Sequence, residues 1–340
     1  MEDTAKERLQ WIDISKGLGI IFVVLGHYMQ TLHLNFGEVY TDIFFWIYSF
    51  HMPLFFFLSG FVYKDYEIKI FLKKKIRGLL LPVIVFSCIY TLYKIFVIKE
   101  NINWIEALLC KSNSYIHLYW FVWTLLWTQV IYYLLDKIIR RRILILLISF
   151  FVLAVCMIVN GEGILLTIPF CLGNTPYLLP FFAIGVYVNE KKSSDNQVVS
   201  GRFLIVLFLL DIVVCTVFKF GISYALLSFD FLPLDYFKAL LGIVIVVYGS
   251  KIIEQCEIIW IPAVLQKMGK ESLWIYLIHG FFFWGLFKKG LYFIPQNNTV
   301  ILLYSFLFTI ITVFLIYFGI VTYRHSMRNR SNVLQYKSKN

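Results

Sequence analysis

Three histidine-bearing stretches and one run of basic residues carry the side chains able to do chemistry in this chain. His27 follows Asp13 and Lys16 along one apolar stretch. At about 100° per residue, the eleven steps from Lys16 return to within about 20° of His27, and Asp13 lies within about 40° of it. All three share a helix face that continues through Gln30 and Thr31, while Ile21, Phe22 and Leu25 point elsewhere. An imidazole buried in a membrane favours its neutral form, which is what a general base needs. The alternative is a structural hydrogen bond between helices. The helical rise places Lys16 about 16 Å and Asp13 about 21 Å from His27. Asp13 therefore cannot orient His27, and its nearer roles are pairing with Lys16 or with basic residues at the inner surface.

His279 makes a similar case, because Ser272, Tyr276 and His279 recur at i, i+4 and i+7 and so form one stripe. His51 opens the segment FHMPLFFFLSGF and reads as a solvated histidine at the outer interface. Pro53 suits a first helical turn, and Ser59 with Gly60 would let a backbone or a ligand approach closely. The run KKKIRGLLLP, residues 73 to 82, concentrates Lys73, Lys74, Lys75 and Arg77. It reads either as an anchor on anionic lipid or as a phosphate site, where Arg offers a planar fork and Lys a point charge. The aromatic segment HLYWFVWTLLW, residues 117 to 127, has the composition of an interfacial belt. Asp211 is an isolated acid inside an apolar run. Phosphate-binding loops, nucleophile elbows, zinc motifs and dinucleotide fingerprints are absent from the sequence, and the six scattered cysteines form no C-x-x-C pair, so no metal is expected.

Helices that cross a bilayer must position these groups. Of 340 residues, 60% are hydrophobic and only 15% charged, with a mean hydropathy of +0.77, against about 25% charged residues in a soluble domain. Apolar stretches of about 20 residues, each enough to span roughly 30 Å of hydrocarbon, predict an all-α integral membrane bundle of about ten transmembrane helices. They fall near 14–34, 43–63, 79–98, 118–135, 143–159, 177–189, 203–220, 236–252, 272–287 and 299–323. With the N-terminus cytoplasmic, 24 of the 31 Lys and Arg fall on inner segments, which predicts both termini inside and explains the net charge of +11 without nucleic acid. Residues 1–340 read as a single membrane-embedded domain with no appended soluble domain. Lys16 and His27 within the first span argue against a cleaved signal peptide.

The segment RLQWIDISKGLGIIFVVLGH, Arg8 to His27, followed by FHMPLFFFLSGF, resembles the acyltransferase 3 family of bacterial integral-membrane acyltransferases, and within it the sugar O-acetylase branch that includes fucose 4-O-acetylase-like proteins. That family shows a basic residue separated from a histidine by ten residues, here Lys16 and His27, with Lys in place of the more usual Arg. Its basic R-x-x-R pair is similar to Lys74 and Arg77. The resemblance continues through HLYWFVWTLL, FFAIGVYV at 181 to 188 and MGKESLWIYLIH at 268 to 279.

The resemblance implies transfer of an acyl group, usually acetyl from acetyl-CoA, to a hydroxyl of a carbohydrate or lipid-linked glycan at the bacterial cytoplasmic membrane. It implies that His27 deprotonates the acceptor or briefly carries the acyl group. Lys16, Lys73, Lys74 and Arg77 would hold the donor's phosphates or polarise its thioester, and Tyr276 and His279 would orient the acceptor or donate a proton. Lys cannot reproduce the bidentate geometry of Arg, so the two Lys positions leave the donor contact open. A transporter or flippase for a lipid-linked sugar or acyl carrier would share a basic mouth and polar cleft, but the paired broken helices of common transporter designs are not legible. A non-catalytic scaffold would not need Lys16 and His27 on one face.

Overall fold

A computed structural model describes residues 9–30, 38–110, 117–160, 163–191, 201–218, 223–224, 226–229, 231–282, 286–295 and 297–337. Thr31, Lys6, Arg8 and most of the 191–200 linker-like stretch lie outside them. The described chain is helical, with one isolated antiparallel bridge between Ser223 and Ser228. The principal helices are α1 (Gln10–Gln30), α2 (Glu38–Phe61), α3 (Ile68–Ile98), α4 (Trp120–Ile139), α5 (Arg142–Val159), α6 (Thr175–Lys191), α7 (Gly201–Val217), α8 (Leu232–Glu254), α9 (Trp260–Lys270), α10 (Ser272–Phe282) and α11 (Asn298–Lys337).

Seven helices among the described residues are long and apolar enough to cross a membrane: α1, Thr41–Phe61 of α2, α3, α5, Pro169–Lys191 containing α6, α8, and Asn298–Met327 of α11. The other three expected spans coincide with α4, α7 and α10. α10 is apolar but only 11 residues long, and α7 has 17 residues. Length and composition thus establish a polytopic helical membrane protein with seven clear spans.

α1 lies at the centre, packed against α2, α8, α9, α10 and α11, and most of its residues are buried on all faces. Glycines permit the closest crossings. A Cβ on Gly17 would strike the Leu265 carbonyl of α9, and one on Gly269 would strike the Asp13 carbonyl of α1. Likewise Gly60 of α2 abuts the Phe182 carbonyl of α6, and Gly185 abuts the Phe57 carbonyl. What approaches the Ser59–Gly60 patch is therefore a neighbouring backbone, as small residues at membrane helix interfaces allow.

α3 is peripheral. Its Leu81, Ile84, Val85, Ile89 and Leu92 are exposed, as suits a lipid-facing surface. Two turns of α3, Ile76–Leu80 and Lys94–Ile98, are wound as π-helix, and the helix ends at Lys99 in the left-handed conformation, φ 61°. The aromatic segment at the start of α4 is not a belt facing lipid: Tyr119, Trp120, Phe121 and Trp123 are buried. Phe121 packs edge-on against Phe55 and Phe56 of α2 and against Tyr276 of α10. Composition alone cannot separate an aromatic belt from an aromatic core.

Candidate active site

α9 and α10 are two halves of a helix interrupted at Glu271, whose carboxylate takes an ion pair from Arg324 of α11. The first half is clamped to the N-terminal part of α1 by the glycine contacts above. The second half rises beside α1 and sets His279 against His27, 252 positions away in sequence.

The two imidazoles meet through His27 Nδ1 and His279 Nε2 at 2.7 Å. Their ring planes are within 11° of each other with centroids 5.0 Å apart. That spacing, with so short a nitrogen contact, places the rings edge to edge in nearly one plane, joined by an in-line hydrogen bond rather than stacked face to face. His279 Nδ1 lies 2.5 Å from the Tyr276 carbonyl oxygen. A carbonyl only accepts, so His279 Nδ1 carries a proton. Neutral His279 then has its lone pair on Nε2, which accepts from His27 Nδ1–H and leaves the lone pair of His27 on Nε2. The reverse arrangement would need a doubly protonated, charged His279 in a site where it is wholly buried, at a large desolvation cost.

The surroundings hold this pair in place. The Tyr276 hydroxyl donates to the Leu118 carbonyl, and the Tyr119 hydroxyl donates to the Leu277 carbonyl at 2.8 Å. These two bonds tie α10 to the segment entering α4. His279 is fully buried, His27 is half-buried, and Gln30, about one turn beyond His27, is exposed. The histidine layer therefore lies close under one end of α1.

The sequence-derived candidates fall in three places. His27, His279 and Tyr276 converge, with Tyr276 contributing its backbone carbonyl to His279 while its phenol is committed to Leu118. Lys16 is half-buried on α1, about 16 Å along the axis from His27. Lys73, Lys74 and Arg77 are exposed on the first turns of α3, with Lys74 Nζ 3.5 Å from the centre of the Tyr66 ring. The structure does not bring that cluster to the histidines.

His51 is a correction. It is 3% exposed, not solvated, because α2 begins at Glu38 and places His51 about 20 Å along the helix. Its Nδ1 hydrogen-bonds the Ile47 carbonyl at 2.7 Å, and its ring lies 4.8 Å from that of Tyr48, which in turn packs on Gly26 beside His27. Asp211 also gains a partner unforeseen from sequence, the Trp46 indole N–H at 2.6 Å. The Asp211 carboxylate thereby ties α7 to α2.

Residues 9–324 match the acyltransferase 3 family, described as an acyltransferase domain. A nodulation protein NolL from Mesorhizobium japonicum is 28% identical over 196 residues, 55% of this chain and 49% of that protein. A nodulation protein NolL from Sinorhizobium fredii is 26% identical over 182 residues, 51% of this chain and 46% of that protein. The alignments thus span about half the length of these curated relatives. No solved structure matches.

Proposed function

Because the chain belongs to the acyltransferase 3 family, and so is a multi-pass membrane acyltransferase, we propose that it transfers acetyl from acetyl-CoA to a hydroxyl of a cell-surface carbohydrate or lipid-linked glycan. The observation that carries this reading is the hydrogen-bond chain from the Tyr276 carbonyl through His279 to His27. It leaves a basic nitrogen on a half-buried imidazole, the arrangement that general-base activation of a hydroxyl requires.

In this mechanism His27 Nε2 takes the proton of the acceptor hydroxyl as its oxygen attacks the thioester carbonyl. The imidazolium that develops donates through Nδ1 to His279 Nε2, whose orientation the Tyr276 carbonyl fixes. As the tetrahedral intermediate collapses, the carbon–sulfur bond breaks and the departing thiolate recovers a proton from His27. His279 acts through His27 and is a positioning residue. Tyr276 serves through its carbonyl and by anchoring α10. Lys16 is the cation on the same face as His27, and Lys73, Lys74 and Arg77 supply exposed positive charge for the donor's phosphates.

The same reading places both termini and the 64–78 segment in the cytoplasm, with about ten spans in a bacterial cytoplasmic membrane. Coenzyme A enters from that side and the glycan acceptor reaches His27 from the end of α1 near Gln30. Membrane lipid surrounds the bundle and nucleic acid has no part. The test is transfer of labelled acetyl from acetyl-CoA to host surface glycan by the purified, reconstituted protein. Transfer that requires the protein supports the reading, and transport of a lipid-linked sugar without transfer overturns it. Topology is tested separately: cysteines placed at 64–78 should resist an impermeant thiol reagent applied to intact cells, and labelling from outside would overturn the orientation.

A further inference from the structure

The contact between α3 and α4 is pinned at both ends by aromatic rings. At one end Phe71 stacks on Tyr133 with centroids 4.1 Å apart. At the other, Tyr90 meets Tyr119 edge-on at 5.6 Å. Between the pins both helices bury polar oxygens with no hydrogen-bond partner among the described residues: Ser87 Oγ on α3, and Gln129 Oε1, Thr128 Oγ1 and Tyr132 Oη on α4, of which Gln129 carries the amide carbonyl. Ser87 and Gln129 are 7% and 6% exposed. Ser87 is three residues from Tyr90, and Gln129 is four from Tyr133, so each lies on the stripe of its own helix that carries a pin.

Buried polar atoms are normally satisfied, and one that is not is costly unless something else meets it. Ser87 and Gln129 are two such atoms, one on each helix. The π-wound turn Ile76–Leu80 packs against α4 between the pins, and such turns are frequent at functional sites. Beside the Phe71–Tyr133 pin lies an open pocket of about 600 Å³ lined by Glu67, Ile68, Lys69, Tyr133 and Lys137. Beyond the other pin lies the histidine layer: Tyr119 bonds the Leu277 carbonyl and Tyr90 packs on Phe281, two residues either side of His279.

We propose that the α3–α4 seam receives the amide-bearing arm of the acyl donor, with Gln129 Oε1 and Ser87 Oγ accepting hydrogen bonds from its amide N–H groups. The ten residues from Gln129 back to Tyr119 rise about 15 Å, so a donor whose phosphates rest by the pocket can present its thioester near His27 only through an extended, flexible arm. The pantetheine arm of coenzyme A has that form and carries two amides. This assignment rests on the acyl-CoA reading above and adds to it the route and the residues that read the arm.

The test compares binding of coenzyme A with binding of its adenosine bisphosphate moiety lacking the arm, by calorimetry on the full-length protein in lipid nanodiscs. Gln129→Met and Ser87→Ala should each weaken coenzyme A about tenfold, the cost of one hydrogen bond, and leave the armless nucleotide unchanged. Both variants remove an oxygen with no partner among the described residues, so their melting temperatures should equal or exceed that of the unaltered protein, which separates a lost ligand contact from a damaged fold. Coenzyme A binding within twofold of the unaltered protein in both variants would overturn the seam assignment. So would an equal loss for both ligands. Failure of the unaltered protein to bind coenzyme A at all would instead overturn the donor reading itself. Should Gln129→Met not fold, Gln129→Glu, which keeps an acceptor at the same reach, should retain coenzyme A binding, and its loss there would count against the seam.

Discussion

The histidine layer and the α3–α4 seam differ in how their polar atoms are satisfied. In the layer the Tyr276 carbonyl fixes His279, His279 fixes His27, and the hydroxyls of Tyr276 and Tyr119 are tied to backbone carbonyls. In the seam Ser87 and Gln129 bury oxygens that no group among the described residues meets, on helices of which one, α3, turns much of its surface to lipid. The first region is pre-organised and needs no ligand to hold its geometry. The second has acceptors waiting for donors. A membrane transferase needs both: a rigid base, and a donor path whose polar contacts form only when the donor arrives.

The largest effect expected is on the rigid side. His27→Ala should lower acetyl transfer by about a hundredfold or more, the scale of general-base catalysis, while the protein remains folded in the membrane and still binds coenzyme A. Transfer at the unaltered rate by folded His27→Ala protein would break the contrast, since the layer would then be merely structural.

His279→Phe comes next, with a loss of about tenfold and a changed pH–rate profile, because His27 loses the acceptor that fixes its tautomer. His279→Gln restores an acceptor for the His27 Nδ1–H and should recover part of the rate, an outcome that a purely space-filling role for His279 does not predict. For both proteins the rate should fall on the acid side, where protonated His27 cannot accept a proton.

Gly269→Val should destabilise the protein by about 1–3 kcal/mol, since it overpacks the α1–α9 crossing at the Asp13 carbonyl. The readout is the melting temperature in detergent. Transfer per folded molecule should fall along with it, because that crossing sets the foot of the helix carrying His279. Undiminished stability would show that α9 is free to shift.

The smallest effect belongs to the basic turns of α3. Lys74→Ala with Arg77→Ala should weaken coenzyme A binding several-fold, and the difference from the unaltered protein should shrink as ionic strength rises, because exposed charges are screened over about 10 Å at 0.1 M salt. An unchanged affinity at all salt concentrations would return the cluster to the role of a lipid-facing anchor.

Much of this architecture is legible in the sequence, because runs of apolar residues locate helices whatever their neighbours. The stripe carrying Lys16 and His27, and the spacing of Tyr276 and His279, follow from one helical period. What joins His27 to His279 does not, since it depends on the interruption at Glu271 and on glycine crossings between helices far apart in sequence. Tyr276 shows the limit well: its spacing marks it as a site residue, yet its phenol bonds Leu118 and its carbonyl does the orienting. His51 misleads because α2 begins at Glu38, well before it in the chain, so that it lies inside the helix and not at its start. Gln129 and Ser87 carry no sequence signal, because an unmet hydrogen bond is a property of the folded surroundings.

The central claim is the tautomer of His27, and nitrogen NMR on protein labelled at histidine and reconstituted in bilayers reads it directly. The chain has six histidines, so signals can be assigned by their loss in His27→Asn and His279→Asn. At neutral pH both His27 and His279 should be neutral with the proton on Nδ1, and a coupling should connect His27 Nδ1 with His279 Nε2. A His27 protonated on Nε2, or a doubly protonated His279, would contradict the account.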